Sequence, residues 1–389
     1  MNLNNALRSV HVVLTLLIVS HVGNAWASYR DFDIPPSNAT VDLRVFNVAN
    51  MTLLNDTHAF ILPTLPGHQS VEYPMYSFLL EHKTSGTRMM FDLGIRQDPE
   101  NTPPSASFYI TEGIAKFEPY KDVTQLLQNG GIDLASINAV IWSHAHFDHV
   151  GDMSKFPNST NLIIGPATDT SVYPGNPNAT LQASDFAGHD IVKVDFASSK
   201  LIFGGLKAVD HFGDGSLYLV DTPGHVAGHL TALARVTPTS FVVLGGDAFH
   251  HAGQARPRPL FQKNFPCPAH VLEETKTSIS TEFFWSPGSR IGSFDILSRA
   301  QALLSISNLP DSVYSDPIKA SVSLDKITSF DADPDFFIVA AHDISIRSAI
   351  PYFPEYINDW KASGVKERSV WAFVEASNPA FVFDSFNTN

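Results

Sequence analysis

Within six residues, His144, His146, Asp148 and His149 offer three imidazoles and one carboxylate. A set of that kind can hold a divalent ion, and the chemistry it opens is metal-assisted hydrolysis. The four follow an apolar run at residues 137 to 142, interrupted by Asn138, that reads as a buried strand. Side chains two apart leave a strand on the same side, so His144 and His146 can take one ion. Asp148 and His149 come where the chain must turn, and can point at a second.

Three more strand ends carry the same kind of residue. The first is Asp221-Thr222-Pro223-Gly224-His225-Val226-Ala227-Gly228-His229, where Pro-Gly forces a turn and puts His225 first out of it. The others are Gly245-Gly246-Asp247 and Ala341-His342-Asp343. If these ends meet at one rim of the fold, His144, His146 and His225 hold one ion. Asp148, His149 and His342 hold the other, and Asp247 bridges the two. Nitrogen and carboxylate ligands without a thiolate suit zinc, and also manganese or iron. Two such ions ~3.5–4 Å apart share a water and lower its pKa towards neutrality. His229 lies too far along to share an ion and reads as a supporting hydrogen-bond partner. Asp92, in Phe91-Asp92-Leu93-Gly94, is either an acceptor for a ligand histidine or a plain turn-starting residue. His58, His68, His82, His189, His211 and His270 lack this setting and read as surface or structural. Cys267, the one cysteine, reads as buried and inert.

The elements that must position these groups follow from apolar spacing. Strands are expected at residues 41 to 48, 162 to 165, 191 to 196, 201 to 203, 216 to 220, 241 to 244 and 336 to 340. A hairpin is expected over 76 to 81 and 88 to 93. Helices are expected at 120 to 128, 294 to 306 and 356 to 361, and a Pro-rich loop at 98 to 107. Residues 252 to 292 read as an irregular lid or pocket wall, with Phe261 and Phe265 in it and Phe249 just before. Residues 28 to 40 read as an extended arm. There is no internal repeat and no linker, so residues 41 to 389 are expected to form a single domain.

Composition narrows the partners. The chain has 389 residues, 44% hydrophobic, with 28 Phe, enough for a large core. A net charge of -14 excludes nucleic acid and a polybasic membrane attachment. Arg8 is the only charged side chain among the first 28, residues 12 to 19 are apolar apart from Thr15, and Ala25-Trp26-Ala27 offers a cleavage site. This predicts a signal peptide at residues 1 to 27, well short of the ~20 apolar residues that span a bilayer. Asn-x-Thr triplets at Asn38, Asn50, Asn55, Asn158 and Asn178 agree with a secreted glycoprotein, free of the membrane after cleavage.

Taken as an ordered set, His144-Ala145-His146-Phe147-Asp148-His149, Thr222-Pro223-Gly224-His225, Gly246-Asp247 and His342-Asp343 resemble the metallo-β-lactamase superfamily, over roughly residues 40 to 375. The resemblance implies an α/β fold, the four-layer αβ/βα sandwich, with a dinuclear site at one edge. It also implies that Asp92 is the family's acidic residue near the site and that Asp148 serves the second ion. The commonest β-lactamases of this kind place a Cys where Asp247 stands, so lactam hydrolysis is not expected. Glyoxalase II shares the bridging Asp, but its basic C-terminal segment has no counterpart here. The form Thr-Pro-Gly-His-x-x-Gly-His is most similar to the N-acyl homoserine lactone lactonases. Those enzymes usually carry a Tyr three residues after the bridging Asp, holding the substrate carbonyl. Here His250 stands in that place, followed by His251, as a pocket donor or a structural residue.

The expectation is a secreted hydrolase that uses two divalent ions, zinc foremost, and a bridging hydroxide to open a lactone or cleave a related ester. Asp148 or Asp247 moves the proton. A thioesterase on acyl or polyketide-like thioesters is the alternative within the same chemistry. A non-catalytic metal-binding protein is the alternative outside it.

Overall fold

The computed structural model describes residues 28–280 and 301–384. Strand Val41–Leu53 sends Val41, Leu43 and Val45 into one core and Phe46 and Val48 into another, the period-two pattern of a strand buried on both faces. Strand Val71–His82 does the same, with Phe78 and Leu80 facing one core and Leu79 the other. These two pair antiparallel, with a register shift between Asn47 and Asn50. Beyond that shift, Met51 and Leu53 join a third apolar cluster.

Seven strands make the first sheet, in the order Ile191–Lys193, Asn161–Ile164, Ala139–Ile141, Arg88–Phe91, Val71–His82, Val41–Leu53, Ala115–Phe117. Six make the second: Leu201–Phe203, Leu206–Asp210, Leu217–Asp221, Leu230–Thr237, Ser240–Leu244, Phe336–Val339. The sheets face each other across Val45, Phe78, Phe91 and Ile141 on one side and Leu219, Leu230, Val242 and Val339 on the other. On the outer face of the first, Val123 and Leu127 of helix Val123–Asn129 cover Leu79, Met90 and Val140. On the outer face of the second, Leu324, Ile327 and Phe330 of helix Pro317–Asp331 cover Val243, Phe336 and Ile338. The result is the expected four layers, helix, sheet, sheet, helix.

Several local expectations are corrected. The arm at residues 28 to 40 is not wholly extended. Ser28–Phe32 is a turn of 3-10 helix that buries Tyr29, whose N–H donates to Asp335 Oδ2 at 2.9 Å. The loop at 98 to 107 runs into helix Pro104–Thr111. The stretch read as irregular at 252 to 292 forms three short helices, Ala252–Ala255, Pro259–Asn264 and Ala269–Ser278, before the described residues stop. Of the helix expected at 294 to 306, residues 294 to 300 lie outside the described residues, and Ser305–Ile306 is a strand. Residues 356 to 361 form turns, with the helix delayed past Gly364 to Val365–Ser369. The signal segment at 1 to 27 lies outside the described residues.

Candidate metal centre

Both sheets deliver their strand ends to one edge. From the first, Ala139–Ile141 leads to Ser143 and His144, and His146 starts the single helical turn Phe147–Val150 that carries Asp148 and His149. From the second, Leu217–Asp221 leads to His225. Strands Ser240–Leu244 and Phe336–Val339 run side by side and parallel, so Asp247 and His342 leave together.

The seven candidates meet there. His144 Nε2 lies 2.9 Å from His146 Nδ1, and His225 Nε2 lies 3.2 Å and 2.9 Å from those two nitrogens. In the second trio His149 Nε2 and His342 Nε2 are 3.3 Å apart, with Asp148 Oδ2 3.4 Å from His342 Nε2. Asp247 stands between the trios. Its Oδ2 is 3.2 Å from His225 Nε2, and its Oδ1 is 3.1 Å from His149 Nε2 and 3.3 Å from His342 Nε2. All are buried except His146, which is half-buried.

A neutral imidazole has one N–H and one lone pair. Three rings meeting nitrogen to nitrogen therefore leave lone pairs facing each other, a conflict that a cation between them removes. Asp247 Oδ1 is buried and makes no hydrogen bond of its own. The ligand atoms of His144, His146, His225 and Asp247 all lie within 4.8 Å of one another, as do those of Asp148, His149 and His342. On chemistry and geometry the residues fit divalent cations.

Charge follows the same division. Burial, then neighbouring imidazoles, holds His144 well below its ordinary pKa and brings His146 to about 3. These two rings stay neutral, the form in which an imidazole can coordinate a cation. At His149 the penalty of burial is overcome by Asp247, Asp92 and Asp148, which draw positive charge to this side.

A surrounding set of contacts fixes the candidates in place. Asp92, at φ 56, accepts the Ser143 N–H at 2.6 Å and lies 2.9 Å from His149 Nδ1, so it orients a ligand candidate rather than only starting a turn. His342 Nδ1 is 2.8 Å from the Pro74 carbonyl oxygen. His229 Nε2 accepts the Asp247 N–H at 2.9 Å. Gly246 has φ +51, and a Cβ there would meet both His229 Nε2 and Ser143 Cβ at 2.8 Å, so the turn before Asp247 has room only for glycine. His250 lies beside the site with both ring nitrogens engaged, Nδ1 2.6 Å from the Tyr314 hydroxyl and Nε2 3.1 Å from Asp247 Oδ2.

The site opens into a cavity of about 170 Å³, lined by His146, Asp148, His225, Asp247, His250 and His342 on the polar side. Met51, Leu53, Phe60, Tyr109 and Phe147 make it apolar elsewhere. The wall therefore comes from the first sheet and nearby helices. None of the described residues of 252 to 280 lines it, and Phe249, Phe261 and Phe265 are buried in the core instead. Sequence reasoning missed Tyr73, Pro74, Ser143 and Tyr314 here. Only Ser143, adjacent to His144, carried a signal in the chain.

The description "Metallo-beta-lactamase superfamily" fits the family model that matches residues 75–315. Among curated proteins the chain is similar to gamma-lactamase FDB1 of Fusarium pseudograminearum, 34% identical over 87% of this chain and 83% of that one. It is similar to metallo-hydrolase mfmC of Annulohypoxylon moriforme, 37% identical over 89% and 90%. It is also similar to cytochrome P450 monooxygenase mpaDE of Penicillium roqueforti, 38% identical over 88% of this chain. The chain spans only 38% of that last relative's length.

Proposed function

Because the chain belongs to the metallo-beta-lactamase superfamily, we propose that it is a secreted dinuclear hydrolase that opens small cyclic esters or cyclic amides with an apolar body. The observation that carries this reading is the Asp247 carboxylate, with one oxygen facing each trio at the mouth of an apolar cavity. His144, His146 and His225 would hold one ion, Asp148, His149 and His342 the other, and Asp247 both. Zinc suits the donor set. Bound there, divalent ions supply Lewis acidity and a water that ionises near neutral pH.

The chain's own residues do the rest. Met51, Leu53, Phe60 and Phe147 take the apolar part of the substrate and exclude bulk water. Asp148 and Asp247 both line the cavity, within reach of a proton passing from the attacking water to the leaving oxygen or nitrogen. A cysteine at the place of Asp247 marks the commonest β-lactamases, and its absence here does not bear on other cyclic amides. The name of the Fusarium relative supports adding cyclic amides to the class. The apolar leader and the exposed Asn38, Asn55, Asn158 and Asn178 support secretion.

The test measures metal per chain on the mature protein together with hydrolysis of a lactone, a γ-lactam and a thioester. About two ions per chain, with ring opening that stops on chelation, is the expected result. Preference for the thioester would move the substrate class to thioesterase. A metal-replete protein inert to all three would sink the hydrolase reading in favour of a binding protein.

A further inference from the structure

Hydrolysis of an acyl group builds negative charge on the acyl oxygen, and a hydrogen-bond donor aimed at that oxygen speeds the reaction. His250 lines the cavity three residues past Asp247, but its two ring nitrogens are already taken by Tyr314 and Asp247. Another donor stands beside it. Tyr73 lines the cavity, its side chain is 1% exposed, and its hydroxyl has no hydrogen-bond partner. Buried hydroxyls are nearly always bonded, and an orphan at a site calls for an explanation.

Its neighbours hold the ring in place. Tyr73 pairs with Met51 across the sheet, its ring lies 5.9 Å from that of His250 and 5.5 Å from that of His342, and Phe60 packs on it at 5.6 Å. The next residue, Pro74, lends its carbonyl oxygen to His342 Nδ1. One dipeptide thus orients a ligand candidate through Pro74 and sets an unpartnered, buried phenol beside it.

We propose that the Tyr73 hydroxyl donates a hydrogen bond to the substrate's acyl oxygen and is a catalytic residue of this site. The inference rests on the hydrolase reading. Water adds to the acyl carbon, the ring C–O or C–N bond breaks, and the leaving atom takes the proton released by the water. Tyr73 keeps its own proton throughout and only stabilises the charge.

The experiment compares metal-loaded wild type with Tyr73→Phe on γ-decalactone and γ-decalactam, recording kcat, KM, metal content and melting temperature. The expected result is a fall in kcat of about 10²-fold with KM little changed. Metal content stays equal, and melting temperature is equal or higher, because an unpaired buried hydroxyl has been removed. Unchanged turnover in Tyr73→Phe overturns the inference while leaving the hydrolase reading intact. Lost metal or a lower melting temperature marks the hydroxyl as structural and overturns it equally. A wild type inert on both probes and on a thioester instead sinks the hydrolase reading, and the inference falls with it.

Discussion

His229 accepts the backbone N–H of Asp247 on Nε2 at 2.9 Å, while its Nδ1 lies 3.1 Å from the carbonyl oxygen of Thr222. One tautomer satisfies both contacts, with the proton on Nδ1. The imidazole thereby ties the loop that carries His225 to the turn that carries Asp247. His229→Ala is expected to weaken metal binding by about 10–100-fold, the usual cost of losing a group that orients a ligand. Competition against a chelator of known affinity checks this, and an unaltered affinity would show that the turn holds itself.

Removing metal should loosen the whole fold. Ions that bind the folded chain alone at a thousandfold excess over Kd stabilise it by about 4 kcal/mol. Chelation is therefore expected to lower the melting temperature by several degrees, and restored metal should recover it. A melting curve indifferent to chelation would mean that the trios pack as well empty as filled.

Away from the site, Arg256 and Asp331 form a fully buried ion pair, with Arg256 Nε and Nη2 each donating to the carboxylate at 2.8 Å. Removing one partner strands the other charge, so Arg256→Met should cost about 3–5 kcal/mol, and the double change with Asp331→Leu should recover most of it. Denaturant melts measure both, and a single variant as stable as wild type would contradict the pairing.

The same pair sets an acid limit. Burial alone would raise the Asp331 carboxyl, but Arg256 holds it below its ordinary value. Its contribution is full above the unfolded carboxylate range, about pH 4, and is lost as pH falls through the lower folded value. Wild type should lose this stability below about pH 4. The double variant should lack that part of the loss.

Expressed through a secretory pathway, the chain should carry glycans on some of Asn38, Asn55, Asn158 and Asn178, which are exposed. Asn50 should stay bare. It is half-buried within strand Val41–Leu53, with Nδ2 donating to Glu118 at 3.1 Å and Oδ1 accepting from Asn47 at 2.9 Å. Peptide mapping decides this. A glycan on Asn50 would contradict the strand's packing, and none at the other four would count against secretion.

What the sequence made legible was whatever repeats a local rule. The ligand candidates sit three to eight residues past apolar strands, with His225 and Asp247 directly after glycine, so both the strands and the candidates could be read from spacing. Strand Leu230–Thr237 was hidden because Thr231 and Arg235 interrupt its apolar run, although both are buried. Helix Pro317–Asp331 was hidden by its outer face, where Ile318 and Val322 are exposed and blur the polar side. Tyr73 could not be found at all. Its interest lies in a missing partner, and only the packed structure shows which hydroxyls have none.

The two halves of the chain share the site unequally: four candidates come from residues 144 to 149, and three from 225 to 342. An ion held by both halves would be a cross-link in a chain whose single cysteine can form no internal disulfide. It would join segments far apart in sequence, where closing the loop constrains the unfolded chain most in principle. It would also set an order of events for the second trio. Until strand Phe336–Val339 has been made and has paired with Ser240–Leu244, His342 is not in place and the second trio is open. Filling of the second trio would thus wait until residue 342 has been made and docked, whereas the first trio needs nothing beyond residue 247.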